Sequence, residues 1–177
     1  MKKFELTAEF VTNVFGKKLF RIKALATFGN VEKGELGGFI EKEDNLSHDG
    51  DAWVSGNARV YGDARVSGNA RVSGDAQVYG DAQVYGNAWV SGDAWVSGDA
   101  QVSGNADYAT VKGFGRTFRA TTFFRCKDKI LRVQCGCFYG NLEQFREIVK
   151  KTHGDSKQAK EYLAIADLME LHFAEEE

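Results

Sequence analysis

The densest reactive chemistry in this 177-residue chain is cationic: from Lys112 to Arg132 seven basic residues stand against one acid, Asp128. Two alternating stretches, near Thr117 to Cys126 and Leu131 to Phe138, predict a β-hairpin. Pairing Cys126 with Leu131 gathers Phe118, Ala120, Thr122, Phe124 and Cys126 with Leu131, Val133, Cys135 and Cys137 on one apolar face. The opposite face then carries Arg119, Phe123, Arg125, Lys127 and Arg132, with Arg125 directly across from Arg132. Like charges so placed are unfavourable unless something anionic answers them. This face is the candidate binding surface. Three partners fit it: a phosphate-bearing ligand, a nucleic-acid strand with Phe123 as a stacking surface, or an acidic protein face. A merely solvated face is the alternative.

The same register keeps Cys126, at the turn, far from Cys135 and Cys137 on the other arm. Shared metal coordination is therefore not expected, and core thiols fit better. Neither a metal nor a cofactor is expected. An odd cysteine count suits a reducing compartment. His48, His153 and His172 are the only histidines available as a general base. A net charge of −2 and a pI near 6.0 give no global attraction to nucleic acid or acidic membranes. The sequence opens on no charged-then-apolar leader and holds no apolar run near the ~18 residues needed to span a bilayer. A soluble, cytoplasmic protein is the expectation.

What must position these groups is a repeat. From Gly50 to Ser103 nine hexapeptides of the form G-[D/N]-A-x-V-[S/Y] run without insertion, and a tenth, Gly104 to Ala109, decays at Tyr108. Ala and Val lie two apart, so in an extended chain both point inward while x points out. Gly followed by Asp or Asn supplies a corner. Such a short strict period predicts a solenoid in which each coil buries its neighbour's face.

Over residues 50 to 109 the pattern resembles the hexapeptide-repeat, left-handed parallel β-helix superfamily. The resemblance implies three units per coil, about three to four coils, and a left-handed crossover. The segment Leu36 to Ser47 resembles the flanks of phage and prophage hexapeptide-repeat proteins of unassigned function. With three units per coil, side chains 18 apart stack at about 4.8 Å. Trp53, Arg71 and Trp89 then form one column, read either as a cation–π ligand platform or as a stabilising ladder. Tyr61 and Tyr79 stack on a second face below Ser97. Asp63, Asp81 and Asp99 form a corner column that either shares a cation or bonds its own corner amides. Arg59, Arg65 and Arg71 fall on three different faces.

Members of that superfamily include acyltransferases, which need a histidine base near an extruded loop, and a zinc carbonic anhydrase, which needs histidines projecting from the coils. The repeats here contain no histidine and no insertion. No catalytic residue is therefore assigned. His48 reads as a cap residue.

The fold class expected is mainly β. A β-hairpin cap (1–35, with Gly16 in the turn) precedes the β-helix (36–109), whose first coil, Leu36 to Asp49, slips by two before Val54. A C-terminal module (110–177) adds a β-hairpin and two α-helices, the first capped by Asn141 with Gln144 and ended by Gly154, the second capped by Asp155 with Gln158. The second helix carries an apolar arc from Ala159 to Phe173 wider than one contact buries. Self-association is expected, and by resemblance a homotrimer. The function expected is non-catalytic binding, directed at a host component through the basic hairpin. Two rivals are a purely structural oligomer and a divergent acyl- or nucleotide-sugar transferase using His48 or an intersubunit site.

Overall fold

The computed structural model describes residues 1–175. Its element order is β1 (Phe4–Thr12), β2 (Lys18–Ala24), β3 (Leu36–Ile40), β4 (Trp53–Val54), β5 (Arg59–Val60), β6 (Arg65–Val66), β7 (Arg71–Val72), β8 (Gln77–Val78), β9 (Gln83–Val84), β10 (Trp89–Val90), β11 (Trp95–Val96) and β12 (Gln101–Val102). There follow β13 (Tyr108–Val111), β14 (Thr121–Arg125), β15 (Leu131–Cys135), β16 (Phe138–Asn141), α1 (Leu142–His153) and α2 (Lys157–His172).

The hexapeptide dictates the coil. Every Ala and Val of the nine units is fully buried, and each strand consists of the outward x residue and its Val. Parallel pairing sets Trp53 beside Arg71 and Arg71 beside Trp89, so three units do close one turn. The β-solenoid that results has about four turns and three faces: β3-β5-β8-β11, β4-β7-β10 and β6-β9-β12. Each corner turns on a glycine with positive φ, from +59° at Gly98 to +69° at Gly50. Side chains are also excluded by space, since a Cβ on Gly80 would come within 2.9 Å of the Gly98 nitrogen in the next coil.

Coil-to-coil hydrogen bonds run one way. Arg71 N–H donates to Ala88 O at 2.9 Å and Asp63 N–H to Gly80 O at 2.9 Å, so amides point up the stack and carbonyls down it. The first coil therefore presents bare carbonyls and the last bare amides, and each end is closed by the complementary group. Below, Lys3 Nζ donates to Gly50 O (3.2 Å) and Ala52 O (2.9 Å), and Asn45 Nδ2 donates to Gly62 O (3.1 Å) and Ala64 O (2.9 Å). Above, Asn105 Oδ1 accepts from Trp89 N–H at 2.8 Å and Thr122 Oγ1 accepts from Trp95 N–H at 2.9 Å.

The N-terminal hairpin turns at Gly16 and joins the solenoid edge to edge, with β2 antiparallel to β3 and β3 parallel to β5. Ile40 pairs with Val60 and Leu46 with Val66, both 20 residues on, whereas Val54 pairs with Val72, 18 on. The two-residue slip lies in that degenerate first coil, as its spacing indicates.

The C-terminal sheet, β13-β14-β15-β16, is antiparallel and buried on both faces. Phe124 and Cys126 join the solenoid core, while Phe123 and Val133 join a second core with Phe145, Tyr162 and Ala166 from the helices. This overturns the expected hairpin register. Phe124 pairs with Arg132 and Arg125 with Leu131, so Arg125 and Arg132 leave opposite faces of the sheet. A face packed on the solenoid and a face packed on helices are both apolar, so the alternation of one solvated face does not apply. The arm also begins later, at Thr121, and a turn at Gly136 separates β15 from β16. Helix α1 has the expected cap, Gln144 N–H to Asn141 Oδ1 at 2.9 Å with the reciprocal bond at 2.8 Å. Helix α2 is capped by Ser156 rather than Asp155, its Oγ accepting from Ala159 N–H at 3.3 Å.

Candidate functional site

The structure disperses the expected basic face. Phe123 is fully buried against Phe145, with ring centroids 6.0 Å apart, and has no surface on which a base could stack. Arg125 donates to Phe173 O at 2.8 Å and lies 3.7 Å from the Asp107 carboxylate. Arg132 makes a bidentate pair with Asp128, at 2.7 and 3.3 Å, which holds the Asp128 carboxyl below the usual range. Lys127 is exposed and is held by its backbone, N–H to Asp99 O at 2.9 Å. Of the expected set, Arg119 and Lys127 stay exposed without an acid among the described residues, and of these two only Arg119 borders a recess.

The solenoid columns are likewise structural where the ends cover them. Trp53 is 1% exposed, packed edge-on against Phe28 at 5.4 Å, whereas Trp89 is 55% exposed and donates from Nε1 to Ser73 Oγ at 2.8 Å. Arg71 lies against Gly29 and Asp51, and no cation–π contact among the described residues involves it. A platform with two open indoles is thereby excluded. Tyr61 and Tyr79 do stack, 5.1 Å apart and 4° from parallel, but Leu19 and Val11 of the hairpin cover them as a small satellite core. Asp63 is answered by Lys42 Nζ at 2.7 Å rather than by its corner amides, and no carboxylate, histidine or cysteine cluster among the described residues could hold a metal. Of the thiols, Cys126 is buried, which pushes it up from its ordinary range, Cys135 is half-buried and Cys137 is exposed, so core packing fits only the first fully.

What the fold brings together is a cleft where the loop 112–120 crosses the turn at Gly136 and the helix pair. It encloses about 340 Å³. Its floor is Phe145, Val149 and Tyr162, its walls are Phe138, Ile148 and His153, and its rim carries Arg116, Arg119 and Cys137. Arg119 also borders an adjoining recess of about 400 Å³ against the solenoid, beside Trp95 and the Lys112–Asp93 ion pair.

The loop that supplies the arginines is held in a costly shape. Gly113 and Gly115 have φ of +99° and +75°, and Phe118, 64% exposed, sits at φ +53°. A bulky residue in the left-handed region costs about 1–2 kcal/mol. Arg119 lies across the backbone of Gly136, where any side chain would collide with it, and donates from Nε to Thr117 Oγ1 at 2.8 Å. Tyr162 donates to Phe114 O at 3.3 Å, and burial pushes its hydroxyl up, so it stays a neutral donor. His153 keeps a buried Nδ1 with no partner among the described residues. Alternation could not have revealed this cleft: Phe145 and Tyr162 read as core, and Arg116 sits in a segment without periodicity.

The fold and cleft together define a β-solenoid with a ligand-sized recess in its C-terminal cap. Comparison with protein families places the repeats with the YdcK β-solenoid repeat, which matches residues 52–66, 64–80 and 82–98 and neither cap. No curated protein matches the chain.

Proposed function

We propose that this is a non-catalytic binding protein, a rigid solenoid whose C-terminal cap receives an anionic group at Arg116 and Arg119. One observation carries the reading. Arg125, Arg132 and Arg146 of the same module are each answered by carboxylates, whereas Arg116 and Arg119 meet none among the described residues and border an apolar cleft. Unpaired guanidinium groups at such a rim are ready to hold a phosphate or carboxylate bidentately. His48 is held at both ring nitrogens. Its Nδ1 accepts from Lys3 N–H at 3.1 Å, so Nε2 carries the proton toward Glu43 at 2.6 Å, and no lone pair remains to act as a base.

The flanking resemblance to phage hexapeptide-repeat proteins supports a host component as the thing sequestered. Leu168 and Leu171, 56% and 73% exposed on α2, support self-association, with a trimer as the first expectation. The test of the reading is calorimetric titration of the wild-type protein and R116A/R119A with an acidic peptide and with small phosphates and carboxylates. Binding confined to the wild type supports it; equal binding by both proteins, or turnover of a bound compound, refutes it.

A further inference from the structure

We infer that the cleft is built for a small aromatic anion, a phosphate monoester or carboxylate on a flat ring, rather than for an aliphatic chain or a protein acid alone. The inference rests on the anion-binding reading of Arg116 and Arg119 and adds the nature of the body behind the charge.

Two features argue for a ring. The first is the lining. Phe138, Phe145, Tyr162 and His153 form a run of rings in mutual contact, with Phe138 to Phe145, Phe145 to Tyr162 and Tyr162 to His153 each 5.8 Å between centroids, at 48°, 86° and 31°. Tilted and edge-on rings at this spacing present both faces and edges, the arrangement that a further ring joins favourably. The second is the rim, since a guanidinium group stacks on an aromatic face while its N–H groups hold an anion, which a lysine cannot do. The volume agrees: at roughly 20 Å³ per packed heavy atom, about 340 Å³ holds one or two fused rings with a short linker, leaving the charge on the rim.

The probes are 1-naphthyl phosphate, hexyl phosphate and inorganic phosphate, titrated calorimetrically into the full chain, with a nucleoside monophosphate and 1-naphthoate separating phosphate from carboxylate sources. Naphthyl phosphate should bind about tenfold or more tightly than hexyl phosphate, and R116A/R119A should lose about tenfold or more. Thr152→Trp, which fills the cleft from an exposed position, should abolish binding with the circular dichroism unchanged. Bound ligand should also slow alkylation of the exposed Cys137. Equal affinity for the naphthyl and hexyl esters, no binding by any aromatic anion at millimolar concentration, or binding indifferent to Thr152→Trp would overturn the inference. An acidic peptide that binds through Arg116 and Arg119 while the aromatic anions do not would sink this inference and leave the broader reading standing.

Discussion

Lys3 sits under the first coil with only 5% of its surface exposed, its ammonium over the Phe28 ring at 4.7 Å and on two coil carbonyls. Desolvation lowers it from its ordinary 10.5 to about 8, with Arg71 adding to the effect and Asp49 and Asp51 opposing it. A lysine depressed in the folded state gives up its proton there first, so between about pH 8 and 10.5 the unfolded chain binds more protons and stability rises with pH. Tyr61 and Tyr139, pushed up by burial to about 12, act oppositely, since above pH 10 the unfolded chain loses protons first and stability falls. Urea unfolding across this range should thus show stability climbing from pH 8 toward 10 and then declining. Lys3→Met should remove the climb and keep the decline; a climb that persists in the variant refutes the assignment. Neither Lys3 nor Asn45 announces itself in the sequence, because a buried end-cap depends on which carbonyls the coil leaves bare. The same limit hid the cleft, whose histidine and tyrosine come from separate helices.

Elements with a period were legible, and those whose ends are fixed by a single bond were less so. Nine repeats, the Gly16 hairpin and both helices follow from spacing alone, since each buries one defined face. The register of β14 on β15 does not, because both faces of that sheet are covered and Phe123 and Phe124 are each fully buried. When neither face is solvated, alternation carries no information on register. The α2 cap shows the point at one residue. Asp155 and Ser156 are both good capping types, but only Ser156 accepts from the helix, at Ala159 N–H. Ser156→Ala should therefore lower stability by about 1 kcal/mol, while Asp155→Ala should leave the urea midpoint almost unchanged. The reverse ranking would place the helix start one residue earlier.

At the scale of the whole molecule the solenoid is a spacer with a phase. The lower cap touches the first coil and the upper cap the last, through Asn105 to Trp89, Thr122 to Trp95 and Ser97 Oγ to Gln134 Oε1 at 2.9 Å. Those contacts fall on two successive faces, the first on that of β10 and the other two on that of β11, so the upper cap reads which face arrives where. Removing Gly68–Tyr85, 18 residues and one full turn, loses Tyr79 from the hairpin's satellite core but leaves each face in phase and every cap hydrogen bond named above possible, because Trp53 would then stack on Trp89 as it now stacks on Arg71. Removing only Gly68–Ser73, a single hexapeptide, keeps the repeat but advances the cap by one face, setting Thr122 over a different strand end from the one Lys3 and Asn45 fix below. Nearest-neighbour stacking makes the stability of a solenoid close to a sum over coils. The full-turn deletion should accordingly fold with one cooperative but weaker transition and retain the ligand cleft, which lies wholly in the C-terminal cap. The hexapeptide deletion removes less buried surface, yet it should be the more damaging of the two if phase governs. Thermal denaturation of both variants decides the matter: a higher midpoint for the hexapeptide deletion would mean that the caps adapt to any face and that the solenoid sets length alone.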